Sequence, residues 1–118
     1  MSSPVSWNLQ LAVREGRLEA LRSLMDEMVA STRSEPGTLA YEWFISADET
    51  VCHLYERYRD DAAALAHMGT FGAIFAERFF ACVEQTGFHV YGGAGPDVRA
   101  ALDGHGVVFL DRFGGISR

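Results

Sequence analysis

Residues 5–13, VSWNLQLAV, alternate without a break. Val5, Trp7, Leu9, Leu11 and Val13 fall on one side, Ser6, Asn8, Gln10 and Ala12 on the other. A period of two is that of a strand. From 15 to 33 the period changes. Leu18, Leu21, Leu24, Met25, Met28, Val29 and Thr32 recur every three or four residues, with charged side chains between them, as on an amphipathic helix laid against an apolar surface. Pro36-Gly37 then stops the helix. Two further alternating runs come next, about 38–46 and 50–58, joined by the short turn ADET. This β-α-β-β order constrains the fold more than any other feature, because the helix must cover the sheet that the strands make.

With residues 47 and 50 paired, Tyr41 lies opposite Glu56, Trp43 opposite Leu54 and Leu39 opposite Tyr58. These six share one face, while Glu42, Phe44, His53, Tyr55 and Arg57 share the other. Asp60 or Asp61 can cap a short helix through Ala62–His67. Gly69 is expected to interrupt it, and Thr70 to start a second helix running to about Glu84, with Phe71, Ile74, Phe75, Phe79 and Val83 on its apolar side. FHVYGG reads as a strand, GPDVRAALDG as a helix opened by Pro96 and closed by Gly104, and GVVFLDRF as a last strand. The predicted fold class is α+β: a ferredoxin-like β-α-β-β-α-β unit with an antiparallel sheet, plus a C-terminal helix and strand. The chain of 118 residues reads as one domain over 1–118, with about 94–118 as an extension. Apolar side chains on the sheet exceed what one layer of helices covers, so a homodimer packed sheet against sheet is expected.

The net charge is −6 and no Lys/Arg run stands out. That argues against nucleic acid and against an anionic membrane as partner. The first residues, MSSPVSWNLQ, lack the basic and apolar regions of a secretory signal. With two widely spaced cysteines, Cys52 and Cys82, the chain reads as a cytoplasmic protein with buried, reduced thiols. No His/Asp/Glu spacing makes a metal site, and GGAG at 92–95 lacks the context of a dinucleotide fingerprint.

The stretch EPGTLAYEWF…LYERYRDDAAALAH resembles the antibiotic biosynthesis monooxygenase family. The residues that carry the likeness are Glu35-Pro36-Gly37, Tyr41-Glu42, Tyr55-Glu56-Arg57-Tyr58 and Ala62 to His67, over about 5–93. Gly114, Gly115 and Arg118 echo the ending of some members. The resemblance implies a dimeric α+β barrel with a cavity between sheet and helices in each subunit. It also implies oxidation of a quinol or phenolic, polyketide-like aromatic by O2, with no metal or flavin cofactor. The chemistry needs a base with a pKa near working pH and an apolar pocket that excludes water. His67 is the candidate base, since histidine titrates near ~6.5. Glu56 and Asn8 are candidate orienting groups. Tyr41, Trp43, Tyr58, Phe71 and Phe75 are candidate walls, whereas His53, His89 and His105 read as structural or solvated. Two alternatives stay open: a haem-degrading relative, in which an Asn, a Trp and a His surround haem, and a non-catalytic dimer that binds small aromatics in a stress response.

Overall fold

The computed structural model describes residues 3–118. The first strand, β1 (Val5–Val13), runs up the middle of the sheet, and α1 (Leu18–Arg33) crosses over it. The hairpin β2 (Thr38–Ile45) and β3 (Val51–Tyr58) comes after it. Next are α2 (Asp61–Thr70), a π-helical turn (Phe71–Phe75) and α3 (Ala76–Cys82), then β4 (Val83–Gly92), α4 (Pro96–Leu102) and β5 (Val108–Leu110). The strand order is β2-β3-β1-β4-β5. The first four strands pair antiparallel in the ferredoxin-like order. The fifth lies parallel to β4, which makes the sheet mixed rather than wholly antiparallel.

The alternation in β1 sorts as its period requires: Val5, Trp7, Leu9 and Leu11 are buried under the helices. They meet Leu21, Leu24 and Met28 of α1, Leu54 and Tyr58 of β3, and Phe88 and Val90 of β4 in one core. Both cysteines are buried there and unpaired, and burial pushes the Cys52 thiol up to about 11. Among the described residues no helix is long and apolar enough to cross a membrane.

The expected hairpin register holds at its centre, with Tyr41 opposite Glu56 and Trp43 opposite Leu54. It fails at the entrance. A bulge between Thr38 and Ala40 sets Thr38, not Leu39, opposite Tyr58, and turns Leu39 out to solvent.

Two further boundaries differ. Gly69 does not break the helix. Asp60 caps α2, accepting from the Ala63 amide at 2.9 Å, and the helical path continues through the π turn into α3. A mid-helix glycine costs only about 1 kcal/mol, and the flanking Phe75 and Phe79 are buried deeply enough to outweigh that. His67 is therefore inside a helix, not at its end. Ile74, expected on the apolar side, lies inside the π turn, where the wider winding departs from the 3.6-residue period, and it is exposed. The helix also stops at Cys82, and Val83 already belongs to β4. A shift in the β1–β4 pairing between Gln10 and Leu11 takes Thr86-Gly87 into the strand, instead of leaving them between a helix ending near Glu84 and a strand starting at Phe88.

Candidate active site

Glu35 stands in the turn between α1 and β2, held there by Pro36-Gly37. Gly37 approaches α2 so closely that a Cβ on it would lie 2.5 Å from the Ala63 Cβ. Its carbonyl accepts from the Arg59 amide at 2.9 Å. This contact brings the turn onto the helix that carries His67. Glu56 comes from the middle of β3, on the face turned to the helices.

The His67 imidazole bridges the two carboxylates. Nδ1 is 2.9 Å from Glu35 Oε1, and Nε2 is 3.3 Å from Glu56 Oε1. The side chains are 8% exposed for His67, 5% for Glu56 and 19% for Glu35. The Tyr58 hydroxyl donates to Glu56 Oε1, and the Thr38 hydroxyl donates to Glu35 Oε1 at 2.9 Å. The rings of Tyr41 and Tyr58 each lie 5.2 Å from the imidazole.

A carboxylate oxygen only accepts, so an imidazole with both nitrogens on carboxylates is best satisfied when doubly protonated. Burial works against the charged ring, but Glu56 and then Glu35 outweigh it, and the His67 pKa is raised above its usual value. Burial first, and the Glu56 charge second, push the hydroxyls of Tyr41 and Tyr58 far up, so both stay protonated.

Beside this network lies a cavity of about 320 Å³, within the usual ~300–1,000 Å³ of small-molecule sites. Its floor is Trp7, Leu9, Leu54 and Phe88 of the sheet. Its roof is Met28, Met68, Phe71, Gly72, Phe79 and Phe80. Glu56, His67 and Tyr41 supply polar atoms. The end of α4 and the turn after it complete the cavity with Ala101, Leu102 and His105. Gln85 on β4 also lines it and holds that turn, donating to the His105 carbonyl at 2.7 Å.

The structure thus brings His67, Glu56, Tyr41 and Phe71 together on one cavity. Other candidates fall elsewhere. Asn8 is on the opposite face of the sheet, paired across to Tyr55 and His89, while its neighbours Trp7 and Leu9 line the cavity. It cannot orient a molecule held by His67. Trp43 shares the Tyr41 face but packs edge-on to Phe79 at 6.1 Å and borders a different hollow with Leu18, Leu21 and Met25. Tyr58 is fully buried behind Glu56, and Phe75 sits on the α1 side with Thr32 and Glu35. These three support the site rather than wall it. Sequence reasoning misses Glu35, Gln85 and His105 as site residues. Glu35 alone carries a signal, as an acid fixed by a Pro-Gly turn just ahead of the hairpin.

Haem does not fit these residues. Both nitrogens of His67 already face carboxylates, and Asn8 is across the sheet. Among the described residues no group of three or more His, Cys, Asp or Glu is placed to hold a metal ion.

The chain matches the family model described as antibiotic biosynthesis monooxygenase over residues 4–103. It is 39% identical over 70 residues to Rv0793 of Mycobacterium tuberculosis, a provisionally named monooxygenase. That alignment covers 59% of this chain and 69% of the relative. The crystal structure of MupZ from Pseudomonas fluorescens superposes with a TM-score of 0.86 at 22% identity, covering 100% of this chain and 91% of that one. SnoaB from Streptomyces nogalater, a cofactor-independent oxygenase, superposes at 0.67 with 14% identity, covering 80% and 96%. At such identities the two structures speak to the fold. The family match spans the sheet, the helices and the Glu35–His67–Glu56 network alike, and with it the chain belongs to the antibiotic biosynthesis monooxygenase family.

Proposed function

We propose that this protein oxidises a quinol or phenolic aromatic with O2, with no metal or flavin cofactor, and that His67 is the base that removes the first proton. The observation that carries this reading is a histidine, buried between two carboxylates, at the wall of a cavity that is mostly apolar and aromatic. Family membership agrees with it, as does the cofactor-independent oxygenase activity of SnoaB.

In its neutral form His67, backed by Glu56, takes the hydroxyl proton of the substrate. The electron pair stays on the substrate oxygen. The imidazolium so formed stands beside the new anion and stabilises it in a water-poor site. The anion is oxidised by O2: one oxygen atom enters the ring carbon and the other leaves as water. In the net balance the two hydrogens of that water are matched by the two the substrate loses, one from the hydroxyl and one from the carbon that is oxidised. Aromatic walls hold the flat substrate and keep bulk water out.

The open face of the sheet is the proposed dimer surface, with a second copy of this chain as partner. Phe44, Val51 and Tyr91 are exposed there, and the Asn8 side-chain oxygen is buried without a hydrogen-bond partner.

The test is O2 uptake by metal-stripped protein with a panel of quinols and anthrone-like phenols, for wild type and His67→Ala. Uptake that survives chelation and collapses in the variant supports the reading; no uptake with any of them overturns it. A second reading has its own support. An imidazolium flanked by two carboxylates offers acid and base together, which suffices for proton-transfer chemistry without O2. Consumption of a substrate without O2 uptake would favour it.

A further inference from the structure

The three ionisable groups of the site form a line rather than a cluster. Glu56 faces the cavity, His67 stands between, and Glu35 lies outermost. Side-chain exposure rises along the line, from 5% to 8% to 19%. On its far side Glu35 borders a second hollow, about 350 Å³, between the end of α1 and the start of β2. Thr32, Arg33 and Thr38 line that hollow with it. His67 lines the cavity and Glu35 the outer hollow, with the 2.9 Å contact joining them and Tyr41 bordering both spaces. An imidazole can take a proton on one nitrogen and release one from the other. Here the two nitrogens point to opposite ends of the line.

We propose that Glu35 is the outer terminus of a proton relay, which passes protons through His67 between the cavity and the solvent of the outer hollow. This rests on the oxygenase reading for the source of the proton and adds where that proton goes. The substrate O–H bond breaks and its proton bonds to Nε2, directly or by way of Glu56 Oε1. Once the anion that the imidazolium stabilises has reacted with O2, the Nδ1–H bond breaks and an O–H bond forms on Glu35 Oε1, which then yields the proton to water. The return passage delivers a proton to the oxygen that leaves as water and restores the Nδ1–H tautomer, so no net charge or proton is gained over a turnover. Glu35 touches His67 and not the substrate, which makes it a positioning and proton-accepting residue. The Thr38 hydroxyl fixes the oxygen it uses.

Glu35→Gln is the discriminating variant, because the amide oxygen still accepts from Nδ1–H but cannot carry the proton away. The expected result is a fall in kcat of about tenfold or more, within the range of acid–base contributions, with KM unchanged. In Glu35→Ala, added formate or acetate should restore kcat several-fold by filling the vacated position. A merely structural glutamate would give neither the KM-against-kcat split nor the rescue. An activity-independent readout is solvent exchange of the His67 Nδ1 proton by ¹⁵N-resolved NMR, expected to be at least tenfold slower in Glu35→Gln than in wild type. Equal exchange in the two proteins overturns the relay, whatever the turnover. Wild type that takes up no O2, yet shows the exchange difference, overturns the oxygenase reading and leaves the relay standing.

Discussion

Replacing His67 by alanine tests whether the network is held together by a buried cation. The change leaves Glu56, 5% exposed, and Glu35, 19% exposed, without the ring that separates them. Breaking a buried ion pair by removing one partner costs about 3–5 kcal/mol. The lower end applies here, since Glu35 is partly solvated and the hydroxyls of Tyr58 and Thr38 still donate to the two carboxylates. A loss of about 3 kcal/mol is a large part of the ~5–15 kcal/mol that stabilises a domain, and it corresponds to a drop in Tm of roughly 10–15 °C for a chain of this size.

The pH dependence is the sharper readout. The folded pKa of His67 lies above its unfolded value of about 6.5, because Glu56 and Glu35 together outweigh burial. The charged ring therefore contributes fully below about pH 6.5, and its contribution is lost as pH rises through the folded pKa. The difference between wild type and His67→Ala should be greatest near pH 6. Toward pH 9 it should shrink by about 1.4 kcal/mol for each unit by which the folded pKa is raised. Other histidines and thiols cancel in that difference. Urea denaturation of both proteins at several pH values measures it, with His67→Gln as a substitute if the alanine variant does not fold. A difference that is flat from pH 6 to 9, or that grows with pH, would refute the claim that two carboxylates hold His67 as a cation.

The same raised pKa sets the pH profile of catalysis: kcat/KM for a phenolic substrate should rise with pH through an apparent pKa above 6.5, and the limb should vanish in His67→Ala, as read by initial rates of O2 uptake. Tyr58→Phe removes the hydroxyl that donates to Glu56 in a fully buried position, and should destabilise the fold by about 1–3 kcal/mol in urea titrations. Asn8→Ala should leave kcat/KM within about twofold, the scale of a change worth ~0.5 kcal/mol, because the side chain is on the face away from the cavity.

The legible part of the fold matches the reach of the pattern. A period of two over eight or nine residues sorts the side chains of β1, β2 and β3 into two faces without saying which face of the hairpin is covered, and the hairpin turn fixes the pairing of Tyr41 with Glu56. Where a single residue disturbs the period, the pattern gives no warning. The bulge before Ala40 moves Leu39 off the face its alternation assigns, and the register shift facing Gly87 hides the first half of β4, so that the strand reads as starting only at Phe88. Helix breaking at Gly69 fails because local propensity, about 1 kcal/mol, is smaller than the burial of Phe75 and Phe79. Asn8 departs from its expected place for a different reason. Its alternation with Trp7 is legible, but nothing local relates the faces of β1 to those of β3, and the ladder puts Trp7, not Asn8, beside Glu56.

The network itself explains why Glu35 escapes a reading by sequence. Glu35, Glu56 and His67 come from a turn, a strand and a helix, separated by 21 and 11 positions in the sequence. No one element contains a reason for its own share. A carboxylate in the middle of β3 is costly to bury unless a helix brings a donor to it. A histidine inside α2 gains a second carboxylate only because Gly37 lets the turn close onto Ala63. Each charge is thus stabilised only once the other two elements have docked. The acid–base machinery therefore forms with the tertiary fold rather than ahead of it, and a larger side chain at Gly37 should damage His67 chemistry from outside the cavity.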